Sequence, residues 1–496
     1  MLAQDRSRGI WRGLTLLAAV ATIWMLLAVR AAPADAAVRP LTTGVSYVYE
    51  NNLAAFENVK RAGAQLTLTP LRWGSIAPKN QPAAWDPTNP ADPNYEWEEF
   101  DVWVIHAVQA GLTPVLQVRG APLWAQRCAG TLDAPCNIDP AMLAAFATAA
   151  ARRYSGQFGG LPRVQYWQGL NEPNLSLFFL PQFDTSGRAV SAELYRGLIN
   201  AFYAAIKAVD PSNLVLAAGL GPIAVPKFTV GPLRFSRELL CMRGHERFRP
   251  TPGDCGGGVS FDIFDVHPYT TGGPTHEGGR NDVQLGDLPE LKALLLAANR
   301  AGRIHGAFPS TPLWVTELAW DSQPPDPGGL PMPILTRWTA EALFGAWRAG
   351  IDTFFWYSLR DSAQEPGVPS YETPEAGLYY RGATVAQDQP KEVLYAFRFP
   401  FVAYPRNKGL HFWGRTPNSG RGRVVIQVRR PGGWRKVAAT RADRVGIFEG
   451  MAHTGYGRNR VGFARAQFAG GSSVAFSMKP VPDFRHPPFG TETPSG

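Results

Sequence analysis

The chain has 496 residues, 45% of them apolar and 18% charged, which suits one large globular domain with a smaller companion and excludes a disordered or fibrous chain. Its net charge of +9 comes from Lys and Arg spread along the chain, with a modest cluster at Arg421, Arg423, Arg429, Arg430, Arg435 and Lys436. A nucleic-acid binder concentrates such charge in one run, so the surplus predicts a solvated surface and no nucleic-acid partner.

The first residues predict an export signal. Arg6, Arg8 and Arg12 form a basic start, Leu14 to Val29 is an apolar run, and Ala34-Asp35-Ala36 offers a small-x-small cleavage site. The run falls short of the ~20 residues of a spanning helix. Residues 1–36 are therefore expected to be removed, leaving a secreted chain with no stable membrane partner; a retained N-terminal anchor is the alternative.

From residue 43 the sequence alternates strand-like and helix-like stretches. Strands are predicted over Thr43–Tyr49, Gln65–Leu71, Thr113–Arg119, Arg163–Leu170, Leu214–Leu220, Phe261–His267, Leu313–Glu317 and Thr353–Ser358. The intervals read as helices with recognisable ends. Asp139-Pro140 caps an Ala-rich run to Tyr154, and Leu194 to Val209 repeats at helical spacing up to Asp210-Pro211. Asp287-x-x-Glu290 reads as a capping box, and Gly350 as the glycine that ends a helix carrying Leu335 to Trp347. Strands separated by helices pair in parallel, and eight such units predict a closed (β/α)8 barrel over residues 37–405. No glycine-rich phosphate loop favours an open doubly wound sheet.

The four cysteines form two sequence-local pairs, Cys128 with Cys136 and Cys241 with Cys255. Of three connectivities this one closes each loop at least geometric cost, and Cys-x-x-Cys zinc spacing is missing, so two disulfides and no metal are predicted. Residues 406–480 change to alternation without helices, predicting a small β-sandwich-like domain that is either a packing partner of the barrel, with Trp413 and Trp434 filling its core, or a sugar-binding module on which they stack. The Pro-rich end, residues 481–496, is expected to be a loose tail.

A barrel of this kind gathers its active site at the C-terminal strand ends. Strand four ends in Asn171-Glu172-Pro173, strand six in His267-Pro268-Tyr269 and strand seven in Thr316-Glu317; strand two runs into Arg72-Trp73, and strand eight carries Trp356-Tyr357. Carboxylates on strands four and seven face each other across the mouth. Paired at ~5–5.5 Å they can perform double displacement at a sugar, one as nucleophile and one as proton donor. Period-two alternation also turns Asp265 inward with His267, which predicts a buried charge answered by an Arg from a neighbouring strand.

Asn171-Glu172-Pro173, Val266-His267-Pro268-Tyr269 and Trp314 to Trp320 (Trp-Val-Thr-Glu-Leu-Ala-Trp) together resemble clan A of the glycoside hydrolases, over roughly residues 41–400. The nearest relatives are families 5 and 39, which include cellulases, xylosidases and exopolysaccharide hydrolases. The resemblance implies Glu172 as acid/base and Glu317 as nucleophile, with Asn171 donating to the sugar 2-hydroxyl. It implies that Tyr269 orients Glu317, that His267 bonds within the central subsite and that Trp356 forms the subsite floor. Two positions depart from the pattern. Leu170 precedes Asn171 where many relatives have Trp, with Trp167 further back. Leu68 stands five residues before Trp73 where many have an Arg supporting the nucleophile, so either Arg72 or Arg119 replaces that charge or the site lacks it; Arg72 is counted among the substrate-binding residues. The implied activity is retaining hydrolysis of β-glycosidic bonds by a monomer that takes a carbohydrate substrate and no cofactor. A transglycosylase on the same site, or a barrel that only binds glycan, are the alternatives.

Overall fold

The structure is a computed structural model and describes residues 39–252, 255–364, 373–407, 409–453 and 462–489. The expected export signal lies outside the described residues. From Pro40 onward the chain forms one compact unit.

Eight parallel strands close into a barrel: β1 (Thr42–Ser46), β2 (Leu66–Arg72), β3 (Thr113–Arg119), β4 (Tyr166–Gln168), β5 (Leu214–Leu220), β6 (Ile263–Val266), β7 (Leu313–Val315) and β8 (Ile351–Tyr357). Each strand pairs with its sequence neighbours, and β8 returns to β1 through Thr42↔Thr353 to Ser46↔Tyr357. Alternation divides the apolar residues into two sets. Leu66, Leu68, Val115, Leu216, Ile263, Trp314 and Phe355 fill the barrel interior. The opposite positions, such as Val45, Trp167, Phe264 and Trp356, join the layer shared with the helices.

The helices end where their side chains predict. The helix Pro140–Arg153 starts with Asp139 accepting from Ala141 N at 2.8 Å. The helix Ser191–Val209 stops at Asp210, and Met332–Ala349 stops at Gly350, whose φ of 89° only glycine adopts freely. The helix Leu288–Arg300 departs from expectation. Asp287 accepts from Gln284 N and Gly278 N, both at 2.9 Å, so its capping box closes the preceding turn and not the helix itself. Strands β4, β6 and β7 are also shorter than predicted, because the chain leaves the ladder just before the polar strand-end residues. Leu170 and Glu172 sit at φ of 70° and 43°, a backbone region costly for side chains with a Cβ and concentrated at functional sites.

Both disulfides pair as expected, Cys128 with Cys136 and Cys241 with Cys255. Beyond the barrel lie two antiparallel sheets. Strands β9 (Phe401–Arg406), β10 (Gly409–Arg415) and β13 (Ile447–Ala452) form one, and β11 (Gly422–Arg430), β12 (Gly433–Ala442) and β14 (Phe463–Phe468) form most of the other. The first sheet is fastened to the barrel. Trp413 is fully buried against Phe344 and Trp347 of the helix Met332–Ala349, with ring centroids 5.2 and 5.5 Å away. Arg415, also fully buried, donates to Leu41 O and Thr43 Oγ1 at the start of β1, both at 3.1 Å. Burial depresses its pKa to about 10. Trp434, expected in the core, is only half-buried on the second sheet.

The expected loose tail is docked through residue 489. Asp483 accepts from Gly273 N at 2.6 Å and meets His276 Nδ1 at 2.9 Å, while His486 N donates to Thr271 O at 2.9 Å. Asp321 N donates to Pro488 O at 2.7 Å, and Phe484 packs on Trp338. Replacing Trp413 with Ala should lower unfolding stability by about 3–5 kcal/mol in urea denaturation. A change below about 1 kcal/mol would show that the first sheet does not share the barrel's core.

Candidate active site

The polar strand ends converge on one buried histidine. His267, directly after β6, has no exposed surface. Its Nδ1 lies 2.9 Å from Glu172 Oε1 and its Nε2 lies 3.5 Å from Glu317 Oε1. One imidazole thus spans the gap between the carboxylates that follow β4 and β7. Both glutamates are buried, at 8% and 7% exposure. Glu172 is held by its own N–H, which donates to Gly219 O at 3.1 Å. Gly219 is required there: a Cβ on it would stand 2.3 Å from Gln168 Nε2 and 3.2 Å from His267 Nε2.

Burial opposes a charge on His267, but Glu317, then Glu172 through its hydrogen bond and charge, then Asp265, overcome it and raise the pKa to about 9. Burial likewise raises the pKa of Glu317, with His267 working against it, Glu172 adding to it, and hydrogen bonds from Tyr47 and Tyr269 lowering it. Tyr269 donates to Glu317 Oε2 at 3.1 Å. The phenols of Tyr47 and Tyr269 are pushed well above their ordinary range, first by burial and then by Glu317, so both remain donors.

Asn171 follows the same strand and accepts from Gln117 Nε2 at 2.9 Å, and Tyr47 donates to Gln117 Oε1 at 3.0 Å. Neither Gln117 nor Tyr47 was singled out in the sequence. Gln117 was findable, two residues before Arg119 on the inward-facing set of β3. Tyr47 was not, because its φ of 58° turns the side chain inward after β1 has ended.

Two expectations need correction, and one open alternative is decided. Trp356 does not reach the site: it faces the helix layer, donates from Nε1 to Ala376 O at 2.8 Å, and is fully buried near Trp320 and Phe397. Tyr357, one residue on, takes the inward position, with its ring centroid 5.3 Å from Tyr47 and 6.4 Å from Tyr269. Asp265 has no arginine. It is fully buried, accepts from Thr316 Oγ1 at 2.7 Å and from Ala218 N at 3.0 Å, and lies close to His267. The nucleophile-supporting charge is not supplied by Arg72 or Arg119 either. Among the described residues the only cation in ion-pair range of Glu172 and Glu317 is His267. Arg72 stands exposed at the end of β2, paired in register with Arg119, which stacks over Phe178 at 4.8 Å.

The docked tail adds a residue outside any barrel motif. Phe489 lies 5.1 Å from the Tyr269 ring and 6.0 Å from the Tyr357 ring. Together with Tyr49, which is 56% exposed beside Tyr47, these rings give the mouth an aromatic wall.

No family model and no curated protein matches the chain. Solved structures do. A family 39 glycoside hydrolase from the gut symbiont Bacteroides cellulosilyticus WH2 aligns with a TM-score of 0.52 at 18% identity, over 84% of this chain and 79% of that one. A family 39 enzyme from Xanthomonas axonopodis pv. citri aligns with a TM-score of 0.47 at 15% identity, over 84% and 92%. A family 30 subfamily 8 xylanase from Clostridium acetobutylicum aligns with a TM-score of 0.44 at 13% identity, over 84% and 93%. The likeness to the first of these is one of fold, a (β/α)8 barrel.

The raised pKa of His267 has a consequence for stability. Its contribution is full below the ordinary histidine value near 6.5 and is lost as pH rises through about 9. The Tm difference between the wild type and His267→Gln should therefore be largest at or below that ordinary value and shrink as pH approaches the upper one. A difference that does not change across this window would mean His267 is neutral in the folded chain.

Proposed function

We propose that this protein is a retaining β-glycosidase, with Glu317 as nucleophile and Glu172 as acid/base. The observation that carries the reading is the single imidazole between the two carboxylates. Retaining chemistry needs the carboxyl groups close enough for one to attack the anomeric carbon and the other to reach the departing oxygen, whereas an inverting pair must leave room for a water between them.

The site supports each step. The chemistry calls for Glu317 to attack as a carboxylate and for Glu172 to supply the proton, and the charged His267 lies within ion-pair range of both. Glu317 Oε2 is held by Tyr269, and Oε1 lies 3.5 Å from His267 Nε2, which fixes the orientation of the carboxylate. Attack forms the Glu317–C1 ester as Glu172 passes its proton to the leaving oxygen. Glu172, now ionised, then takes a proton from water, whose oxygen displaces Glu317 from C1. Hydrolysis regenerates the starting protonation state and needs only side chains.

Within this reading Asn171 addresses the 2-hydroxyl at the central sugar, held in place by Gln117. Tyr357 replaces Trp356 as the aromatic floor, and Phe489 and Tyr49 extend the apolar surface on which sugar rings stack. Arg72 is a substrate contact at the outer rim. Catalysis belongs to the barrel, residues 37–405, with residues 406–480 as a companion domain and 481–496 as the tail. Two disulfides support the reading of an extracellular chain whose residues 1–36 serve as an export signal. We take it to act as a monomer on a poly- or oligosaccharide.

Substitution separates the two roles. On a panel of aryl β-glycosides, Glu317→Gln should abolish turnover of every sugar cleaved by the wild type. Glu172→Gln should lose on the order of 10²–10⁴ in kcat on poor leaving groups and much less on activated ones. Proton NMR should show the β-anomer of the product first. Initial release of the α-anomer, or equal leaving-group dependence in both variants, would reject the assignment.

A further inference from the structure

The positive charge of this chain is not evenly distributed once the strands are paired. Residues 406–480 contain fifteen Lys and Arg against two acids, while the whole chain has a net charge of +9. Both acids are engaged off the second sheet's outer face: Asp443 accepts from Val445 N and Ile447 N, and Glu449 of β13 meets His411 Nε2 at 3.0 Å.

The register assembles the cations. On β11 and β14 the residues Val424, Ile426, Val428, Ala464 and Ala466 are buried on one face. The alternate positions face outward. Across that outer face Arg423 pairs with Arg441, Gln427 lies between Lys436 and Arg465, and Arg429 pairs with Trp434. Five cations thus share one side of three neighbouring strands of the second sheet, and among the described residues none of them is in an ion pair. Arg465 and Arg429 both stack over the Trp434 ring, at 4.4 and 5.8 Å, and Arg465 Nε donates to Gln427 Oε1 at 2.8 Å. Burial and then the charge of Arg429 lower the pKa of Arg465.

Like charges directly opposed across strands are destabilising. Nothing in the core of the sheet needs them, since the apolar residues point the other way. The indole seats both guanidinium groups over its face, and arginine meets carboxylates in pairs through the edge of its planar fork. We propose that this face is a binding surface for an acidic polysaccharide, a chain of uronate sugars whose carboxylates recur along an extended polymer. The sugar repeat of such a chain is comparable with the strand spacing of about 4.8 Å, so successive carboxylates can meet cations on successive strands. The choice of a glycan over another polyanion rests on the glycosidase reading of the barrel; the cationic face itself does not.

The test uses the full mature chain and alginate as the polyuronate, with dextran as the uncharged control. Alginate should retard the protein in affinity electrophoresis, dextran should not, and retardation should fade between about 50 and about 500 mM NaCl as screening shortens. The triple variant Arg429→Gln, Lys436→Gln, Arg465→Gln should bind alginate at least about tenfold more weakly. Its turnover of a small aryl glycoside should be unchanged, and its Tm equal to or above that of the wild type, because the repulsion is relieved. The proposal is overturned by unaltered alginate binding in the variant, by equal retention on dextran, or by tighter binding to single-stranded DNA or phosphatidylserine vesicles than to alginate. Loss of aryl glycoside turnover by the wild type would strike the glycosidase reading and leave the alginate result standing.

Discussion

A buried histidine between two carboxylates is the interaction on which the site depends. Without a positive charge, burial and the neighbouring Glu172 would drive Glu317 still further toward its protonated form. His267 changes that balance by lying within ion-pair range of both. Asp265, buried behind it, stabilises the imidazolium in turn and is itself satisfied by Thr316 and Ala218 N. The same positions explain why β6 cannot tolerate a bulky neighbour at Gly219, where any side chain would strike Gln168 and His267. Backbone geometry follows from this demand: the left-handed turn at Leu170 and Glu172 brings the glutamate off its strand and toward the ring.

Much of this was legible in the sequence. The eight strand signals, the polar groups after strands four, six and seven, and the paired glutamates could be read from short-range pattern, because each depends on period-two alternation along one strand. The errors have equally local causes. Trp356 was assigned to the floor by resemblance, and the continuous aromatic run Phe354, Phe355, Trp356 and Tyr357 offers no apolar–polar alternation to show that Tyr357 is the inward ring. An arginine was expected for Asp265 because a cation from another strand was the obvious remedy; the actual cation was the histidine two residues away on the same face. The expected boundary at residue 405 falls inside the strand Phe401–Arg406, because its aromatic residues lie next to the final barrel helix and no Gly-rich turn separates them from it. Phe489 was beyond reach, since its place beside Tyr269 depends on contacts more than 200 residues apart in the chain.

The C-terminal region divides its chemistry between two sheets. The first turns Trp413 and Arg415 into the barrel and behaves as part of its core. The second buries small apolar residues on one face and crowds guanidinium groups around Trp434 on the other. A surplus of charge that looked diffuse along the sequence is thus gathered by strand register alone. The tail closes the arrangement from the opposite end, crossing to the barrel mouth and placing an aromatic ring at the proposed subsite.

The account stands or falls on a covalent intermediate at Glu317. The decisive measurement is intact and peptide mass spectrometry after incubation with a 2-deoxy-2-fluoro aryl glycoside of whichever sugar the enzyme cleaves best, a compound that forms the glycosyl-enzyme and releases it slowly. The account predicts one added glycosyl unit per chain, carried by the peptide containing Glu317, on wild-type protein and not on Glu317→Gln. Label on Glu172 or elsewhere, or turnover with no adduct at all, would contradict it.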